Sequence, residues 1–213
     1  KKCDSPVDVT APCAPELTIE ADCQIGENTL IWNDPNNSCA DDVVSFNLYF
    51  TPVEDGPMTL IGSFNNNGDT SFVHNYEGSV AGCYGITAID SIQYGNESDT
   101  SNIVCFDNCP SYWLPNVFTP NGDGDNDFFK PLSPYKYVES IDIKIYNRWG
   151  QIVFETTDPD INWDGKHMKA GTIVPDGVYY YLCTVNTIRL IGIEPIVLKG
   201  FFHVFSDGGG TGK

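Results

Sequence analysis

The run Val138-Glu139-Ser140-Ile141-Asp142-Ile143-Lys144-Ile145-Tyr146, followed by Asn147-Arg148-Trp149-Gly150 and Gln151-Ile152-Val153-Phe154-Glu155, decides the fold class. Ile141, Ile143 and Ile145 recur at every second residue. That is the period of a strand with one buried face, not the three-to-four-residue spacing of a helix. The four residues between the two apolar runs form a turn, so the stretch predicts a β-hairpin over 138–155.

Working outward, the same short alternations recur throughout the chain. In the first half, strands are expected at 16–20, 29–32, 43–50, 58–64, 71–75, 83–90 and 102–106. Within 43–50, Val44, Phe46, Leu48 and Phe50 share one face, and Asn47 and Tyr49 the other. In the second half, 112–118, 178–185 and 196–205 join the hairpin. Tyr179, Tyr180 and Tyr181 stand in a row, so both faces of their strand are expected to be covered or in contact with something. Between these runs the chain is dense in turn residues, including 20 Gly and 14 Pro. The expected fold is all-β, as two consecutive antiparallel β-sandwich domains. With 41% hydrophobic residues, each domain has the material for its own core. No apolar run approaches the roughly 20 residues of a membrane-spanning helix.

Charge divides the chain at the same place. Residues 1–109 carry two basic and seventeen acidic residues, a net of -15, whereas residues 110–213 carry nine and twelve, a net of -3. A total of -18 repels phosphate backbones and argues against a nucleic-acid partner. The boundary is expected at Asp107-Asn108-Cys109-Pro110, with domains at 12–109 and 110–205. Residues 1–11 read as an upstream linker or the end of a preceding repeat, and 206–213 as a disordered tail or an expression remnant. Lys1-Lys2-Cys3 lacks the apolar region of a signal peptide, so an export signal is expected to be removed or to lie upstream.

The eight cysteines contain no CxxC pair, which favours disulfides over zinc and hence an oxidising setting. A hairpin centred near Tyr94 puts Cys83 opposite Cys105. A first hairpin turning near Gly26 puts Cys13 near Cys39 and leaves Cys23 without a mate. Cys109 and Cys183 are candidates for a bridge within the second domain, and Cys3 for an upstream repeat. Sequence alone leaves this connectivity open.

Ala14-Pro15, the Trp32 strand, Cys83-Tyr84-Gly85-Ile86-Thr87-Ala88-Ile89-Asp90, the turn Gly95-Asn96-Glu97-Ser98 and Ser101-Asn102 follow in order. Residues 12–107 thereby resemble a fibronectin type III domain. Tyr84 is either a tyrosine-corner residue bonded to backbone or a core tyrosine.

The second domain carries more specific text. Its parts are Leu114-Pro115-Asn116-Val117-Phe118-Thr119-Pro120-Asn121-Gly122-Asp123-Gly124-Asp125-Asn126-Asp127-Phe128, then Ile145-Tyr146-Asn147-Arg148-Trp149-Gly150, Val153-Phe154-Glu155, Trp163-Asp164-Gly165 and Pro175-Asp176-Gly177-Val178-Tyr179-Tyr180-Tyr181. This ordered set, over about 110–205, resembles the gliding-motility-associated C-terminal domain of Bacteroidetes surface proteins. That domain is the type B sorting signal of the type IX secretion system. The resemblance implies export to the periplasm, recognition by translocon components, passage through the outer membrane and attachment at the cell surface. It also implies a PorP/SprF-like outer-membrane barrel as partner.

Each motif has its own physical reading. Asn121, Asp123, Asp125 and Asp127 place side-chain oxygens at alternate positions, with Gly122 and Gly124 between them. Alternating oxygens suit calcium, although the glutamate that closes an EF-hand is absent. The other reading is an Asx-rich turn capped by its own side chains. Arg148 and Trp149 form either a recognition surface or an arginine stacked on an aromatic of its own domain, with Trp149 filling the sandwich end. Asp164-Gly165 and Asp176-Gly177 are turn dipeptides that set strand register or supply a further oxygen ligand.

No catalytic residue is expected. His74, His167 and His203 stand in no catalytic or metal motif, and HExxH, GxSxG and a P-loop are absent from the sequence. An alternative function is adhesion or carbohydrate binding, with Tyr49, Tyr76 and Tyr94 as sugar-stacking candidates.

Overall fold

Alternation turns into twelve strands in the computed structural model, which describes residues 9–90, 95–132 and 134–206. The chain divides between Asn108 and Cys109 into two compact units. The readings placed on Cys3, Tyr94 and the tail beyond Ser206 fall outside the described residues.

The first unit holds β1 (Leu17–Asp22), β2 (Glu27–Trp32), β3 (Ser45–Thr51), β4 (Thr59–Asn65), β5 (Ser71–His74), β6 (Gly82–Ile89) and β7 (Val104–Phe106). They form a three-stranded sheet β1-β2-β5 and a four-stranded sheet β4-β3-β6-β7, with every pairing antiparallel. This is the two-sheet arrangement of the fibronectin-like domain that the sequence resembles. Its core contains Leu17, Leu30, Trp32, Phe46, Leu48, Phe50, Tyr84 and Ile86. The alternation expected in β3 holds at Phe46, Leu48 and Phe50. Val43, not Val44, supplies the buried valine, because the strand begins only at Ser45.

Cys83 and Cys105 face each other across β6 and β7 and are bridged, and Cys13 is bridged to Cys39. The suggested Cys109–Cys183 bridge does not exist. Cys109 is disulfide-bonded and so is Cys23, whereas Cys183 is a free, buried thiol. The reason is strand phase. Cys183 falls on the inward face of its strand, where burial pushes the thiol up to about 12 and leaves it a small apolar core group.

The second unit holds β8 (Val117–Phe118), β9 (Val138–Tyr146), β10 (Ile152–Thr156), β11 (Gly177–Arg189) and β12 (Gly192–Val204). Their order in one sheet is β10-β9-β11-β12-β8, antiparallel except for β8 against β12. The sheet's inner face presents Ile141, Ile143, Ile145, Val153, Cys183, Val185 and Phe202. Tyr112, Phe129, Ile161, Trp163 and Val174 cover it from segments outside the named strands, tied by isolated bridges such as Phe129 to Trp163. The expected strand at 112–118 shrinks to Val117–Phe118, because Pro115 cannot donate to a ladder. Of the three consecutive tyrosines, Tyr179 is buried, but Tyr180 is 48% exposed. The outer face of β11 is therefore not covered by any of the described residues at Tyr180.

Candidate functional site

Register gathers the second unit's motifs at one end of its sheet. Tyr146 at the end of β9 pairs with Tyr180, Gly177 at the start of β11 pairs with Val204, and Val204 pairs with Phe118. Segments 119–127, 147–150 and 175–176 consequently lie beyond the same end of the sheet. The Trp163-Asp164-Gly165 turn joins them there. Val174 N–H donates to Gly165 O at 2.8 Å, and a Cβ on Gly165 would lie 2.8 Å from Pro120 Cγ. With φ at +77°, Gly165 occupies a place that suits glycine for two independent reasons.

Part of the motif set is core. Phe118 packs on Trp163 (5.3 Å between centroids) and on Phe202 (5.9 Å), and Phe154 stacks on Trp163 at 5.5 Å. Trp163 is 1% exposed, and its indole N–H donates to Lys166 O at 2.8 Å. The hydroxyl of buried Tyr179 donates to Pro175 O at 2.7 Å, so this tyrosine ties down the turn that precedes β11. Phe118, Trp163, Gly165 and Tyr179 thus shape the end of the domain and do not offer themselves to a partner.

The Asn121–Asp127 loop turns its oxygens onto its own amides. Asp127 accepts from the backbone N–H groups of Asn121 (3.1 Å), Gly122 (2.6 Å) and Gly124 (2.8 Å). Asn121 accepts from Asp123 N–H at 3.1 Å, and Asp123 from Asp125 N–H at 2.8 Å. Thr119 N–H donates to Asn126 O at 2.9 Å and closes the loop, with Asn126 at φ +54°. This is a run of Asx turns. Among the described residues no group of three or more His, Cys, Asp or Glu side chains is placed to hold a metal, Asp164 and Asp176 included. Asp164 instead accepts from Lys166 Nζ at 2.5 Å, and Asp176 from the Ser206 hydroxyl at 2.5 Å.

The exposed part of the motif set lies at the hairpin tip. Asn147 Oδ1 accepts from Trp149 N–H and Gln151 N–H, each at 3.0 Å, and Gly150 at φ +78° completes the turn. The Arg148 guanidinium sits 4.2 Å above the Trp149 ring, as the self-stacking reading expects. Trp149, however, does not fill the domain's end; it is 69% exposed, because the tight turn projects it away from the core. Arg148 and Trp149 border a groove of about 560 Å³ that is also lined by His167, Ile173, Asp176 and Tyr180. The structure thus brings the Asn147-Arg148-Trp149-Gly150 and Asp176-Gly177 motifs onto one surface.

In the first unit, Tyr84 is a core tyrosine. Its hydroxyl accepts from Asn28 Nδ2 at 2.8 Å and lies 2.9 Å from His74 Nδ1. Of the sugar-stacking candidates, Tyr49 donates its hydroxyl to Glu97 at 3.0 Å, and Tyr76 packs on Phe50 at 5.0 Å. Sequence reading missed Glu97, which accepts from Asn47, Tyr49 and Thr87 on a single oxygen. It also missed the exposure of Val197 and Phe201 on β12. No polar alternation marks that strand's outer face.

Residues 112–192 match the model of the family described as the CHU_C type IX secretion signal domain. The match lies within the second unit. A crystal structure of the FN1–FN3 domains of chicken CNTN1 is similar over 92% of this chain and 67% of that one, at 13% identity and a TM-score of 0.36. No curated protein matches the chain. No helix among the described residues is long and apolar enough to cross a membrane.

Proposed function

We propose that the second unit is the signal by which the type IX secretion system moves this protein across the outer membrane and holds it at the cell surface. The observation that carries this reading is the family match over residues 112–192. The gathering of Arg148, Trp149 and Asp176 around one groove supports it, because a transport signal needs an accessible recognition surface on a stable scaffold. On this reading the translocon meets the motif end of the sheet, and a PorP/SprF-like outer-membrane barrel is the partner. The first unit is a disulfide-braced stalk of a gliding-motility adhesin, and the chain has no catalytic role.

The test is delivery. The full chain and residues 109–206 are each attached to an exported reporter in a host with the type IX system. Both should reach the surface. Delivery by the full chain alone would extend the signal into the first unit, and failure of both would end the sorting reading. Calcium at the Asn121–Asp127 loop is a separate proposal, supported by the oxygen-rich sequence. To bind there it must draw Asp123 and Asp127 away from the amides they cap. A rise in melting temperature with calcium over chelator supports the metal, and an unchanged midpoint leaves a self-capped turn.

A further inference from the structure

The longest open backbone edge in the second unit belongs to β12. On one side it pairs with β11 along all thirteen residues, but on the other it meets β8 only at His203 and Val204. The amides of His203 and Phe205 donate toward that second side, to Asn116 O at 2.9 Å and Phe118 O at 3.3 Å. Backbone groups alternate sides along a strand, so the amides of Val197, Lys199 and Phe201 point the same way. Among the described residues no strand lies opposite them. Pro195 shares this phase and has no amide hydrogen to offer, so it closes the open stretch at one end while β8 closes it at the other.

The side chains of this stretch match its open backbone. Val197 is 62% and Phe201 57% exposed, and Phe201 pairs in register with half-exposed Tyr180 of β11. An antiparallel sheet that faces water on one side ordinarily places polar residues there. Residues 195–203 contain Lys199 and no acidic residue, in a chain of net charge -18. A second copy of the chain would fit poorly. Facing residues in an antiparallel pair share one side of the sheet, so Lys199 would meet Ile193, Pro195, Val197 or another Lys199. Glu194 lies in the opposite phase and faces Arg189 at 3.6 Å.

We propose that the free edge of β12 between Val197 and Phe201 takes up an extended strand of a partner protein. That strand lays apolar side chains over Val197 and Phe201 and sets an acidic side chain opposite Lys199. The inference rests on the sorting reading and deepens it, since it names the backbone surface by which the delivered unit is held.

The test uses the full chain on an exported reporter, with surface-bound reporter and melting temperature as readouts. Val197→Pro removes one outward amide and should leave the β11 ladder intact, because Pro195 is accommodated in the same phase. It should lower surface-bound reporter by about tenfold, the effect of losing one well-made contact at equilibrium. Val197→Thr keeps the amide and exchanges one methyl for a hydroxyl, so it should lose less than Val197→Pro, whereas Lys199→Glu should lose severalfold. If the unaltered chain is not delivered, the sorting reading falls and takes this inference with it. If the unaltered chain and a folded Val197→Pro are delivered equally, only the edge inference falls. Equal losses in the proline and threonine variants would also overturn it, as would a dimer dispersed by the proline. Should Val197→Pro melt early, Lys199→Glu decides, and its normal delivery counts against the proposal.

Discussion

The two units solve the same problem, covering a β-sheet, in different ways. In the first unit a second sheet covers the first, and the core lies between strand faces such as Trp32 and Leu30 on one side and Phe46, Leu48 and Ile86 on the other. In the second unit one sheet is covered by loops that carry Tyr112, Phe129, Ile161, Trp163 and Val174. A strand face follows from alternation, so the first core can be read from period-two patterns. A loop has no period. It must be held by individual devices, here Asx caps, a glycine at positive φ and an aromatic cluster. Bridges within a unit differ too, although Cys109 at the start of the second unit is also disulfide-bonded. Cys13–Cys39 and Cys83–Cys105 brace the first unit, while Cys183 of the second is a free thiol packed in the core.

If loops close the second core, the largest effect should come from its loop-borne tryptophan. Trp163→Ala should destabilise the second unit by about 3–5 kcal/mol, the usual range for emptying a buried aromatic site. Denaturant unfolding followed on each unit should show the first unchanged. An equal loss in both would break the comparison.

Replacing Cys83 and Cys105 together by alanine should cost the first unit about 3 kcal/mol, given the 22-residue separation they span. Mild reduction should act in the same direction on that unit, and the double replacement should leave the second unit's melting temperature unmoved.

Gly165→Ala sharpens the account of the loop layer. Its Cβ would press on Pro120 at an unfavourable φ, so a loss of about 2 kcal/mol is expected in thermal melts. Gly124→Ala, with open space around it, should lose less.

The smallest effect is a pH dependence confined to the first unit. Burial holds the His74 imidazole below its usual range. A folded value below the unfolded one means the contribution is complete above about pH 6.5 and is lost as pH falls through the lowered value. Melting between pH 7 and pH 5 should therefore drop more for the native chain than for His74→Gln. Identical slopes would remove His74 from the account.

Much of the fold was legible in residues whose environment is local. The Ile141-Ile143-Ile145 alternation gave the hairpin and one hairpin register paired Cys83 with Cys105, whereas Cys13 and Cys39 are bridged as expected but lie outside the strands of the first hairpin. The second-unit motifs pointed to the family whose model matches residues 112–192. Their division of labour was not legible. Trp149 and Trp163 sit in similar turn-rich contexts, yet one is 69% and the other 1% exposed.

By itself, the sequence determined the all-β class, the period-two strands and the motif set that the family model matches, because each is written in near neighbours or in a two-residue period. Tertiary structure alone decided that Cys183 remains a thiol and that, among the described residues, β12 keeps an open edge. Each of these depends on what lies across a gap from residues distant in the chain, and a pattern along one strand cannot report what covers its other side.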